Sequence, residues 1–200
     1  MNAMPTATTS RLARGHVPGE EGVWLLISGD LILFSLLFAT FLWMRGEQLE
    51  VFTAGHARVN QTWGLVNTLL MLTSSWFVAT AVKAARRELT AITVRCFLAA
   101  LLCGAGFIGV KVFEYGEKLR AGFTITTNDF FMLYFIYTGL HLLHVVIGMG
   151  VLTTLMLYSR SGGFAVGNKL RNLESGASFW HLVDLLWIVL FALLYLVGAR

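Results

Sequence analysis

Charge is scarce in this sequence. Asp, Glu, Lys and Arg make up 13% of its 200 residues, roughly half their share in an ordinary soluble domain. That shortage excludes a soluble globular chain, because 56% of the residues are hydrophobic and little polar surface is left to cover them. Proline numbers two, no Pro/Ser linker appears, and nothing marks a second domain. Cysteine also numbers two. Cys96 and Cys103 are seven apart, about 10.5 Å along a helix, which excludes a disulfide between them and leaves apolar packing as their role. Strict alternation of apolar and polar residues is missing, and with it the signature of a membrane β-barrel. The first 20 residues lack an apolar core region, so no cleavable signal peptide is expected. No internal repeat is evident, which disfavours an inverted-repeat transporter.

Long apolar runs are present instead. Five segments reach or approach the roughly 20 apolar residues that a hydrocarbon core requires: 23–43, 64–82, 92–113, 130–158 and 179–197. They predict an all-α bundle of five membrane-crossing helices in residues 23–200, preceded by a polar, mobile tail at 1–22. Trp24, Trp43, Trp63 and Trp180, with Tyr115, Tyr158 and Tyr195, sit at span ends, where amphipathic rings meet the headgroups. Thr127, Asn128 and Asp129 offer caps for the fourth span and Ser178 for the fifth.

Basic residues give the orientation. Arg11, Arg14, Lys83, Arg86, Arg87, Arg95, Arg160, Lys169 and Arg171 fall on one side. Arg45, Arg58, Lys118, Arg120 and Arg200 fall on the other. The excess favours a cytoplasmic N-terminus and an external C-terminus. The net charge of +4 is therefore a topology signal, and no basic face for nucleic acid exists outside the loops.

Polar residues inside spans are costly and turn toward protein or water, so function is sought there. His141 and His144 are three apart and share a helix face. They either ligate a metal with help from another helix or mark, with Tyr134, Tyr137 and Gly148, the face packed into the bundle. His181 and Asp184 form either a polar clasp, the carboxylate orienting the imidazole, or an outer-shell metal arrangement. Lys111 and Glu114 pair at the membrane surface or snorkel from a helix end. Asp30 lies within an apolar span. It relays protons, binds a lipid amine or pairs with a neighbouring helix. Ala100/Gly104, Ala105/Gly109, Gly148 and Gly150 allow close helix approach.

Together these residues resemble subunit III of the haem–copper oxidases, over essentially the whole chain from Trp24. Phe179-Trp180-His181-Leu182-Val183-Asp184-Leu185-Leu186-Trp187 is similar to the family's W-H-x-V-D-x-x-W signature, and Glu174 matches a family glutamate. Tyr137-Thr138-Gly139-Leu140-His141-Leu142-Leu143-His144-Val145 resembles its T-G-x-H-x-x-H-V segment. Glu114-Tyr115 with Phe123-Thr124-Ile125, and Asn67-Thr68-Leu69-Leu70 with Ser74-Ser75, resemble further pieces in family order. Asp30 falls where the family places a carboxylate.

The resemblance implies a five-helix accessory subunit in the cell's inner (plasma) membrane. It implies no catalytic residue, haem, copper or other metal in this chain. The partner is the catalytic subunit I, which carries haem and copper, and a V-shaped cleft holds phospholipid. Supporting proton uptake and protecting subunit I would be its role. Asp30 would lie in the lipid cleft, while Asn67, Glu114, His141, His144, Glu174, His181 and Asp184 would form a structural polar network. Lys111 departs from the glutamine that many oxidase members carry. It resembles instead the NorE branch, which accompanies nitric oxide reductases. Two readings from other classes stand beside these: a membrane cytochrome with haem on His141, His144 or His181, and a proton-coupled transporter using Asp30 and Asp184.

Overall fold

The computed structural model describes residues 21–164 and 168–197. The expected tail falls outside them up to position 20, and its last two positions open the first helix. The elements are α1 (Glu21–Glu47), α2 (Leu49–His56), α3 (Gln61–Ala85), α4 (Thr90–Arg120), α5 (Asp129–Ser159) and α6 (Lys169–Phe191). A π-helical turn, Ala192–Leu196, continues α6. No strand occurs among the described residues. Five helices, all but α2, are long and apolar enough to cross a membrane. The expected all-α, polytopic bundle is therefore the architecture of this chain.

Local chemistry fixes several helix ends. Asn128 caps α5, its side-chain oxygen accepting from the Phe131 amide at 2.9 Å. Asn60 does the same for α3 through Thr62, at 2.9 Å. Helix α4 stops where Gly122 adopts a φ of +83°. The Phe123 amide then bonds the Lys118 carbonyl and the Gly122 amide bonds the Leu119 carbonyl, a Schellman ending that glycine makes strain-free. Asn128→Ala should cost about 1 kcal/mol, read as lower thermal stability in mild detergent.

Three boundaries differ from the sequence-based expectation. Helix α6 begins at Lys169, ten residues before the apolar run at 179. Its first turns are polar but buried, through Leu173, Glu174, Ser175, Gly176 and Ala177. Ser178 is thus no cap, and its hydroxyl donates to the Glu174 carbonyl one turn back. Helix α4 runs to Arg120, seven residues past the expected end at 113. The short α2, between the first two spans, was not anticipated at all.

Helices α3 to α6 form the packed core, and α1 is the span most exposed on its own chain. Trp180 is wedged into a slot that glycines open. A Cβ on Gly148 would meet its ring at 2.7 Å, and one on Gly104 would meet it at 3.3 Å. These two glycines serve close packing as expected. Gly109 and Gly150 have nothing within 4 Å of a Cβ and do not. Trp180 and Tyr195 are core residues, not headgroup rings, whereas Trp24, Trp43 and Tyr158 are exposed.

Polar ties hold α1 in place. The Tyr137 hydroxyl donates to the Leu37 carbonyl at 2.6 Å. Arg45 donates to the Val197 carbonyl at 2.9 Å, beyond the π-helical turn. Between α1, α5 and α6 lies an apolar groove of about 390 Å³, walled by Val23, Leu26, Ile147, Val151, Leu155 and Phe179.

Candidate functional site: polar side chains inside the bundle

The largest buried polar cluster joins α4 to the π-helical turn. Lys111 and Glu114 face each other one turn apart, with the ammonium 2.9 Å from Glu114 Oε2. Their side chains are 0% and 1% exposed. The pair is therefore enclosed within the bundle, and Lys111 does not snorkel. With α4 extending to Arg120, Lys111 sits more than two turns inside its helix. Its ammonium also donates to the Tyr195 hydroxyl at 2.7 Å, and that hydroxyl donates on to Glu114. The rings of Trp187, Tyr195, Tyr134 and Tyr115 surround the cation at 4.8–5.8 Å, an arrangement that stabilises a desolvated charge. Lys118 approaches the other Glu114 oxygen at 4.0 Å. One carboxylate thus collects two cations and one hydroxyl.

His141 and His144 serve different interfaces. The His141 ring is fully buried between Phe107, at 5.6 Å, and Trp187, at 5.2 Å. Neither of its nitrogens has a hydrogen-bond partner among the described residues. Asn67, on α3, is also fully buried with both amide atoms unpartnered. Beside it the Thr68 hydroxyl accepts from the Trp187 indole at 3.0 Å. His144 looks the other way, toward α1. Its Nε2 lies 3.6 Å from Asp30 Oδ2, and its Nδ1 lies 2.9 Å from the Leu140 carbonyl. Asp30 is 19% exposed on its side chain and His144 12%. Of the three readings of Asp30, the geometry supplies the neighbouring-helix partner. A shared metal face for the two histidines is not formed.

His181 and Asp184 do not form an ion pair within 4.0 Å. The imidazole Nδ1 instead meets the Ser75 hydroxyl at 2.6 Å, bridging α6 to α3. Asp184 is buried, with Oδ1 lacking a protein partner. The expected clasp is therefore between helices, through a serine, and not between the two residues themselves. Glu174 accepts from Arg86 Nε and Nη2, at 3.1 and 2.8 Å. Ser74 adds a bond to the Ala100 carbonyl at 2.9 Å, tying α3 to α4.

One histidine outside the spans escaped the sequence reading. His56 ends α2 and is buried against Phe130, with ring centroids 4.9 Å apart. Burial, with help from the Arg45 charge, pushes its pKa below 6.5, while the Leu194 backbone opposes the shift. The folded chain therefore keeps His56 neutral where the unfolded chain would protonate it. The unfolded state binds more protons below that value, so stability falls as pH drops through 6.5 toward the folded pKa. His56→Phe should flatten this part of a stability–pH curve measured in detergent.

Among the described residues, no three His, Cys, Asp or Glu side chains converge on a point that a metal could occupy. Cys96 and Cys103 are free.

Comparison with known proteins agrees with this architecture. The family model for cytochrome c oxidase subunit III matches residues 20–199. Quinol oxidase subunit 3 of Bacillus subtilis (strain 168) is 29% identical, covering 88% of this chain and 86% of the relative. Cytochrome c oxidase subunit 3 of Bacillus sp. (strain PS3) is 28% identical, covering 88% and 84%. The haem–copper oxidase subunit I+III of Aeropyrum pernix is 27% identical, covering 89% of this chain and 22% of that longer protein. Five spanning helices and these relatives make the chain a multi-pass protein of the plasma membrane. A match over residues 20–199, which takes in all five spanning helices, means that this chain belongs to the cytochrome c oxidase subunit III family.

Proposed function

We propose that this chain is the accessory subunit III of a haem–copper terminal oxidase, without a redox centre of its own. It docks against the catalytic subunit I, which carries haem and copper, stabilises it and sustains its proton uptake. The family match over residues 20–199 carries this reading. The relative named subunit I+III supports the docking, since one polypeptide there joins the two parts. The donor geometry supports the absence of a cofactor, because the buried histidines face aromatic rings, a serine and a carboxylate.

The groove beside α1 is the proposed cleft for phospholipid. Its walls are mostly aliphatic and aromatic, as an acyl chain requires, with Asn172 and Ser175 as its polar lining. Asp30 and His144 lie one turn deeper along the same two helices, and the pair is partly exposed. An ionisable pair at that depth is the proposed proton-related element. The excess of basic residues in the N-terminal tail and the second and fourth loops supports a cytoplasmic N-terminus.

A second reading rests on Lys111, which stands where oxidase members often carry glutamine. On that reading the chain accompanies a nitric oxide reductase, as NorE proteins do. Purification in mild detergent from cells grown aerobically or on nitrate separates the two. A copurifying oxygen-reducing subunit supports the first reading, and a nitric oxide reductase subunit the second. Recovery of the chain with no haem–copper subunit under either condition would overturn both.

A further inference from the structure

A second pocket, of about 240 Å³, opens between the last turns of α3 and the first half of α6. It lies on the opposite side of α6 from the groove beside α1 and shares no lining residue with it. We propose that this pocket binds the phosphate headgroup of an anionic phospholipid, with Lys83 and Arg86 as its cationic partners.

The order of residue types along the pocket carries the inference. At the aqueous rim stand Lys83 and Arg86, the latter just past the end of α3. Toward the bilayer centre the walls become Val82, Ala79 and Ala177, and His181 closes the inner end. From Glu174 to His181 the pocket follows α6 for about 10.5 Å. Charge at the rim and small apolar walls beneath it match the way a phospholipid enters a membrane. A soluble anion would use the rim alone.

The rim is built, not incidental. Glu174, with a side chain 9% exposed, takes both the Nε and Nη2 protons of Arg86 on a single oxygen. Both bonds hold the guanidinium at the pocket, where Arg86 and Glu174 are lining residues. Lys83 forms no ion pair among the described residues. Two cations against one carboxylate leave the rim positive, which offsets the carbonyl end of α3, a feature that disfavours anions. Basic pockets between helices on the cytoplasmic side suit acidic headgroups, and the pocket lies on that side in the orientation proposed above. The His181 Nδ1 is already held by Ser75, so the inner end adds shape and not charge.

The test uses the full chain in the assembly in which it purifies. It is placed in nanodiscs of phosphatidylcholine, with or without phosphatidylglycerol, and retained lipid is counted by native mass spectrometry. Phosphatidylglycerol should be retained in preference to phosphatidylcholine. Lys83→Gln, at an exposed position, should lower that retention about fivefold, the effect of one basic residue near a membrane surface. Ala79→Leu fills the apolar part without changing charge and should lower it comparably. Equal retention of the two lipids would overturn the proposal. So would retention unchanged in both variants, or displacement of the lipid by inorganic phosphate alone. None of these outcomes depends on which gas the partner subunit reduces.

Discussion

Lys111→Met should destabilise the folded chain by about 3–5 kcal/mol, because it strands the Glu114 carboxylate in the core. Glu114 is 1% exposed and would keep the Tyr195 and Tyr134 hydroxyls and the more distant Lys118. Glu114→Leu should cost a similar amount by stranding the Lys111 ammonium among four aromatic rings. The double variant, Lys111→Met with Glu114→Leu, should recover much of the loss, since removing a buried pair together avoids an unpaired charge. Lys111→Gln should be milder than Lys111→Met, because an amide nitrogen still donates to Glu114. Unfolding in mild detergent, followed by loss of helical signal, reads all four. Additive single effects would mean that the pair does not act as a unit. The cluster also bonds the Tyr195 hydroxyl from both sides, so the single variants should loosen the π-helical turn first, and hydrogen exchange at Ala192–Leu196 should rise.

Gly148→Ala should cost about 1–3 kcal/mol through overpacking, although alanine is the better helix former. The added methyl would lie 2.7 Å from Trp180 Cε3 and 2.9 Å from Cζ3. The indole has little room to retreat, because it is fully buried and its far edge is turned toward the Gly104 backbone. Trp180→Phe should make Gly148→Ala much cheaper, by opening the space that the methyl needs. It forfeits no protein hydrogen bond, since the Trp180 indole nitrogen has none. The coupling between the two substitutions, measured as a double-mutant cycle in detergent, tests the α5–α6 contact directly. Gly150→Ala is the control, with nothing within 4 Å of its added carbon.

The five spans were legible because the bilayer fixes their length and composition, whatever the helices pack against. Their ends were legible only where local chemistry marks them, as at Asn128. The first ten residues of α6 were hidden because they are polar and are held by packing and by the Arg86–Glu174 bond. Hydropathy placed the end of α4 at 113, where apolar residues stop. Lys111 was consequently read as a surface residue, while the helix and its partners continue past it. Tyr195 and Trp180 carried the composition of a headgroup belt, yet sit in the core because glycines and a buried lysine make places for them. The Asp30–His144 contact joins residues more than a hundred positions apart and has no local signal. The family motifs were legible as an order of residue types. Which residue each one touches needed the three-dimensional packing.

If this chain sustains a catalytic neighbour without doing redox chemistry itself, its removal should shorten the working life of the complex and leave the chemistry in place. The most direct measurement compares the haem–copper complex purified with and without this chain, recording turnover per haem from the first seconds to inactivation. Initial turnover per haem should change little. Activity should then decay faster in the complex that lacks the chain, and adding the purified chain back before turnover should restore its lifetime. Loss of all initial turnover, together with a haem absorption band carried by the isolated chain, would contradict the account.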